Sequence, residues 1–196
     1  MSKYSNYSDI QILREIGKYD SHALEELYNR YSAILYTLIK KIAADDKTAE
    51  NILVEVFSII WRKIDKFDYK NGNAYVWLIT LARNRAIDTI KRNRNSSDEM
   101  GFYDDDYENR FIIPTLPKRM DDMDLETAIS LQPKIENILT KLSEAQQYII
   151  HLSYYEGYTL QEISQKLNLP IETVRNKVMV AMQTLRDLII SQNRSG

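Results

Sequence analysis

The sequence predicts an all-α protein of two helical domains joined by an acidic, largely irregular linker. Three observations carry this. Glycine (5) and proline (4) are too scarce in 196 residues for the many turns of a β protein. Apolar residues recur at three-four spacing over the N-terminal part of the chain and again towards its C-terminal end. Between these parts, residues 96–133 lose the periodicity and gain Ser, Asp, Pro and Met, a stretch too long for a loop inside one compact domain. The expected division is a first domain over 1–95, a linker over 96–133 and a second domain over 134–196.

In the first domain, residues 8–17 predict a short helix ended by Gly17. The second helix starts near Ala23 and carries Leu24, Leu27, Tyr31, Leu35, Ile39 and Ile42 on one face; Asp20 and Ser21 offer N-cap oxygens just before it. A third runs from about 46 to 65, with Ala49, Ile52, Leu53, Val56, Phe57 and Ile60 on its stripe. The Asn- and Gly-bearing stretch KFDYKNGN, 66–73, reads as a loop, and a fourth helix follows from about 74 to 94. Order returns at about Pro133, with Ile135, Ile138, Leu139 and Leu142 on one helix and SEAQQYIIHLSYYEG supplying another.

The stretch YTLQEISQKLNLPIETVRNKVMVAMQTLRDLI, 158–189, is the most informative. Thr159 and Glu162 form a capping box that starts a short helix with Ile163 and Leu167 facing inward. Asn168 sits where the chain must turn, and Asn tolerates the left-handed conformation better than most residues. Pro170 then helps to start a longer helix that buries Ile171, Val174, Val178, Ala181, Leu185 and Ile189. Short helix, tight turn and longer helix make a helix-turn-helix, whose second helix lies in the DNA major groove. Glu172, Thr173, Arg175, Asn176, Lys177, Met179 and Val180 lie outward or near its start, and Arg and Asn suit bidentate contact with guanine and adenine edges. Taken alone, the pattern also fits two amphipathic helices of another helical domain.

Charge is segregated along the chain. The net charge is −2, yet residues 95–133 hold ten acids and three bases, while the flanking parts are mildly basic. LARNRAIDTIKRNRN, 81–95, carries five bases and one acid. Distribution rather than net charge is what marks a nucleic-acid binder. By itself, the basic run also fits a solvated helix end with charges favourable near its C-terminus.

Several classes are excluded or disfavoured. There is no cysteine, so disulfides and thiolate metal sites are absent, and a reducing compartment is the simplest home. No apolar run approaches a membrane span, and MSKYSNYSDI lacks the apolar core of a signal peptide, so a cytoplasmic location is expected. No P-loop, Cys/His cluster or motif-placed Ser/His/Asp set supports an enzyme. The adjacent carboxylates of DDDYE, 104–108, lack the spacing of an ordered ligand set, and no metal or cofactor is expected.

Four stretches together resemble an RNA polymerase sigma factor of the extracytoplasmic-function (ECF) type in the sigma-70 family. They are DSHALEELYNRY at 20–31, AENILVEVFSIIW at 49–61, AYVWLITLARNRAIDTIKR at 74–92 and GYTLQEISQKLNLPIETVRNKV at 157–178. The resemblance implies a region 2-like first domain and a region 4-like second domain. It implies core RNA polymerase as partner, through the large-subunit clamp and flap, and promoter DNA, both duplex and melted. An anti-sigma factor is a further implied partner.

Residue by residue, the helix 49–61 resembles the element that docks on the polymerase clamp. Leu53, Glu55, Phe57 and Trp61 match its pattern, while Asn51 and Val54 stand where Asp and Gln are usual; Phe57 and Trp61 fit core packing equally well. The loop 66–74 and the helix after it resemble the element that opens DNA at the −10 site and holds a flipped base. Asn84 matches the asparagine of the family's ARN stretch. Asp88 and Lys91 share its face at i+4 and i+7, and Arg83, Arg92 and Arg94 flank it. Trp77 is expected in the core. Arg175, Asn176 and Lys177 stand where the family contacts the −35 element, whereas Val180 and Met182 replace frequent arginines. The acidic linker resembles the segment that threads the polymerase's basic channels. The competing reading is a stand-alone helix-turn-helix regulator binding duplex DNA without polymerase.

Overall fold

Ser8 starts the first helix through a reciprocal cap. Its Oγ accepts from the Gln11 backbone N–H at 3.3 Å, and Gln11 Oε1 accepts from the Ser8 N–H at 2.8 Å. The computed structural model describes residues 3–43, 45–70, 72–95 and 124–192, and every regular element among them is helical. The chain divides into two compact units between Leu125 and Glu126.

The first unit holds α1 (Asp9–Ile16), α2 (Ser21–Ala43), α3 (Asp46–Lys63) and α4 (Ala74–Asn95), with a 3₁₀ turn at Ile64–Lys66 after α3. Asp20 caps α2 by accepting from the His22 and Ala23 N–H groups at 3.0 and 3.3 Å. Asp45 caps α3 by accepting from Thr48 N–H at 2.8 Å, and Asn73 caps α4 by accepting from Val76 N–H at 2.9 Å. The expected stripes are the ones that pack: Leu27, Tyr31, Leu35 and Ile39 of α2 are fully buried, with Ile52, Val56 and Ile60 of α3 and Leu78 and Ala82 of α4. Removing this apolar surface from water at about 25 cal/mol per Å² is the main force holding the four helices together.

One polar clasp fixes the segment ahead of α1. Arg30 on α2 donates to the carbonyls of Tyr7 and Tyr4, both at 2.8 Å, and to the carboxylates of Asp9 at 3.1 Å and Glu26 at 2.9 Å. Tyr31, whose ring is buried, donates a short hydrogen bond to Asp9. Burial, followed by the Asp9 carboxylate, pushes the Tyr31 hydroxyl pKa well up, so it stays a donor across the physiological range.

Gly17 ends α1 as expected, but not through a left-handed conformation: its φ is −62°, and the positive φ falls on Tyr19 at 63°. Gly17 leaves room for a close neighbour. A Cβ there would meet Arg14 O at 3.3 Å and Tyr69 Oη at 3.5 Å, and Tyr69 donates to Leu13 O at 3.2 Å. The expected loop after α3 is internally bonded, with Gly72 N–H donating to Asp68 O at 2.7 Å. A side chain at Gly72 would run into that same carbonyl and the Phe67 ring. Trp77 is half-buried against Phe67, ring centroids 5.3 Å apart, at the edge of the core rather than within it.

The second unit holds most of α5 (Leu125–Leu139), with α6 (Glu144–Tyr154), α7 (Leu160–Leu167) and α8 (Ile171–Gln192). The helix expected from about Pro133 begins at Leu125 instead, and Pro133 lies inside it. Leu125, Ala128 and Leu131 extend the apolar spacing upstream, and Pro133 removes one backbone donor without ending the helix. Of its expected inward residues, Ile138 is buried but Ile135 is 39% exposed. Residues 96–123 of the expected linker, DDDYE included, lie outside the described residues.

Candidate polymerase and promoter interfaces

The helix-turn-helix is built by local chemistry that the sequence shows directly. Thr159 Oγ1 accepts from Glu162 N–H at 3.2 Å, and Glu162 returns the contact to Thr159 N–H at 2.6 Å. α7 ends on Asn168, the left-handed residue, at φ 50° and ψ 46°. Leu169 N–H donates to Ser164 O at 3.0 Å, and Ser164 Oγ donates to Leu169 O at 2.5 Å, so the turn is closed by both backbone and side chain. Pro170 O then accepts from Thr173 and Val174 N–H, starting α8. Gly157, at φ 68°, makes the turn that brings α6 back onto α7.

Leu152 of α6, Ile163 of α7 and Val174 of α8 form the buried centre of this unit. Val174 and Ala181 of α8 are fully buried, while Ile171, Val178, Leu185 and Ile189, expected inside, are only half-buried. A small domain cannot enclose the whole length of a 22-residue helix. The opposite face is open: Glu172, Arg175, Asn176, Lys177, Met179 and Val180 are all exposed, and Thr173 is half-exposed. Arg175 donates to Glu172 at 2.7 Å on the surface. All seven candidate −35 residues therefore share one accessible stretch of one helix.

The candidate −10 residues are arranged differently. Asn84 is 6% exposed, and its Oδ1 accepts from Arg83 Nη1 at 3.3 Å. Asp88, Lys91 and Arg83 are half-buried, Arg92 is exposed, and Arg94 lies in the last turn of α4. The face that carries Asn84 is thus partly packed.

The α3 candidates split the same way. Leu53 and Phe57 are buried at 7% each, as the core-packing reading allows, whereas Asn51 and Val54 are exposed, Val54 at 65%. Trp61 is half-buried and edge-on to Tyr19 at 5.8 Å. These two rings line a groove of about 790 Å³ with Tyr7, Tyr69, Arg14 and Lys18, beside the loop that precedes α4.

One buried charged residue beside the candidate sites escaped sequence reading. Arg85, 8% exposed, donates from Nε to Glu55 Oε2 at 2.6 Å, tying α4 to α3. A buried guanidinium needs such a partner, because leaving it unpaired costs several kcal/mol. The signal was available: Arg85 follows Leu78 and Ala82 at i+7 and i+3, the spacing of the buried stripe.

Comparison with known proteins shows the family of the chain. Residues 27–96 match the family model Sigma-70 region 2, and residues 138–187 match Sigma-70, region 4. The chain belongs to the sigma-70 family. It is a sigma factor of the ECF type, a promoter-recognition subunit for transcription initiation, and the region 2 match disfavours a stand-alone helix-turn-helix regulator. It is similar to the ECF RNA polymerase sigma factor SigK of Mycobacterium tuberculosis (strain ATCC 25618 / H37Rv), with 26% identity over 179 residues, 91% of each chain. SigK of Mycobacterium sp. (strain KMS) is 24% identical over 179 residues, 91% of this chain and 89% of that one. Among solved structures, it is similar to Rhodobacter sphaeroides SigE in complex with the anti-sigma ChrR, at TM-score 0.45 and 21% identity over 92% of this chain and 97% of that one. CnrH in complex with the cytosolic domain of CnrY gives 0.40 and 16%, over 93% and 97%.

Among the described residues no helix is long and apolar enough to cross a membrane, and no group of His, Asp and Glu is placed to hold a metal ion.

Proposed function

We propose that this sigma factor acts in the cytoplasm, has no catalytic activity of its own, and divides its work between the two units. The 1–95 domain binds core polymerase and the −10 element, and the 134–196 domain binds the −35 element. The observation that carries this is the order of the two family matches, with an exposed polar helix face in the second and a basic helix in the first.

In this reading α3 docks on the polymerase's large-subunit clamp. Asn51 and Val54 supply accessible contacts, Glu55 and Trp61 the half-buried margin, and Leu53 and Phe57 shape the helix from beneath. The second unit meets the flap while α8 enters the major groove at −35 through Glu172, Thr173, Arg175, Asn176, Lys177, Met179 and Val180. Lys91, Arg92 and Arg94 engage phosphates near −10, and Arg83, Asn84 and Asp88 line the place for an extruded base. Extruding a base costs a few kcal/mol of stacking, so a preformed pocket is required to offset it. Burial of Asn84 suits a pocket floor: Arg83, which already bonds its Oδ1, must share or yield that bond to the base. The linker over 96–133 threads the polymerase's channels, where its acidity mimics RNA phosphates. An anti-sigma factor is the proposed inhibitory partner, on family membership.

Mixing the purified protein with core polymerase and transcribing sheared genomic DNA tests the whole reading. New, defined start sites that need both proteins are expected. Absence of a complex with core polymerase, or of new start sites, overturns it.

A further inference from the structure

The recognition helix carries an apolar cluster where DNA contact is proposed. Met179 is 57% exposed, Val180 49% and Met182 56%, so three of the ten exposed large hydrophobic residues among those described fall within four consecutive positions. Single exposed apolar side chains are ordinary, but a cluster marks a contact surface. At 100° per residue, Glu172, Asn176 and Met179 run along the middle of the exposed face, with Arg175 on one side and Val180 on the other. The cluster therefore continues, one turn further on, the line of polar side chains that opens α8.

We infer that Met179 and Val180 read thymine methyl groups, so that the −35 element of this sigma factor carries thymines at the base pairs they face. The inference rests on the −35 role proposed above for α8. Exposed Arg175 and Lys177 on the same stretch fit a polyanion rather than an apolar protein groove, which selects DNA as the occupant. Within the major groove, the C5-methyl of thymine is the apolar feature of the base edges. Against any other edge, Met179 and Val180 would cover hydrogen-bonding groups and give nothing back. Against a methyl, both sides bury apolar surface. Arg175 is already engaged by Glu172 at 2.7 Å, which limits how much of the readout it can carry alone.

The test uses holoenzyme reconstituted from core polymerase and the full chain. Preferred −35 sequences are selected from a randomised promoter library, and each selected thymine is then replaced by deoxyuridine, which deletes only the methyl. Binding is expected to weaken about fourfold at each contacted thymine. Met179→Ala and Val180→Ala should each bring that ratio close to one at one base pair, while preferences at the pairs facing Arg175 persist. Both side chains are exposed on a helix, so alanine leaves the fold intact, which circular dichroism checks. A ratio of one at every thymine with the parent protein overturns the inference and leaves the cluster to a protein partner. Ratios unchanged in both variants overturn it as well. Failure to select any sequence removes the −35 role itself, an outcome distinct from selection without methyl discrimination.

Discussion

The two helices proposed to meet DNA, α4 and α8, are both 22 residues long and differ in how their polar residues are held. On α8 the candidate side chains stand on an exposed face, opposite the buried Val174 and Ala181. On α4, Asn84 and Arg85 are buried among the packing residues, and Arg85 is paired to another helix. In the proposed roles, the helix for duplex DNA is presented whole, whereas the helix for opening DNA shares its polar groups with the core, so that its chemistry and its stability are entangled. Substitutions should therefore separate binding from folding on α8 and fail to do so on α4.

The largest expected effect tests the modest centre of the second unit. Ile163→Ala should cost about 3 kcal/mol through the cavity it leaves. Hydrogen exchange over 144–192 should rise, while the first unit keeps its protection. Equal loss of protection in both would show that the units do not fold separately.

Next comes the pair that joins α3 and α4. Arg85→Met should destabilise the first unit by about 2 kcal/mol, less than the roughly 3–5 kcal/mol for a fully buried ion pair, because Glu55 is 41% exposed. Glu55→Gln should cost less, and the double variant less than the sum of the two. Denaturant melts read the coupling, and strict additivity would mean that the Arg85–Glu55 bond is incidental.

Asn84→Ala sharpens the contrast further. Open-complex formation on duplex promoter should fall about tenfold, whereas a promoter with a pre-melted start region should be rescued in part, as expected of a group that stabilises an extruded base. Equal rates on duplex promoter would remove Asn84 from base capture.

On α8 the effects should be smaller and cleaner. Val180→Arg and Met182→Arg place cations at exposed positions. Each guanidinium that neutralises a further phosphate should steepen log K against log salt by about 0.9, with no change in melting temperature. An unchanged salt slope in both variants would put that end of the helix away from the DNA backbone.

The smallest effect is acid sensitivity of the first unit. A short bond from Tyr4 holds the Asp20 carboxyl below its usual range, and the Thr48 backbone N–H does the same for Asp45. Both are ionised more readily folded than unfolded. Their contribution is present above the ordinary carboxylate pKa near 4 and fades as pH falls through the lowered values. Melting temperature should hold from pH 7 to about 5 and decline below about 4. Asp45→Asn should flatten that decline.

Local rules make much of this legible. The Thr159–Glu162 box, the left-handed Asn168, the Asp20 cap and the stripes of α2 and α3 follow from short-range hydrogen bonding and helical spacing. What is not legible depends on neighbours far along the chain. The basic run at 81–95 hides Arg85 among surface cations; its place on the buried stripe follows from spacing, but its partner Glu55, thirty residues earlier, is not legible. Asn84 resembles an exposed hydrogen-bonding group in the sequence because its covering neighbours belong to the tertiary packing. The early start of α5 is masked by Pro133, which reads as a boundary although it lies inside the helix.

The turn at Asn168 has an evolutionary consequence. It acts as a fixed bracket that sets the angle at which α8 leaves α7, while lying outside the proposed DNA-contacting face. Glycine there would preserve the angle, since it too accepts a positive φ, whereas valine would strain it and re-aim the helix. Under the −35 role proposed for α8, promoter preference would shift through a residue outside the contacting face, which would make Asn168 a steering point for new target genes.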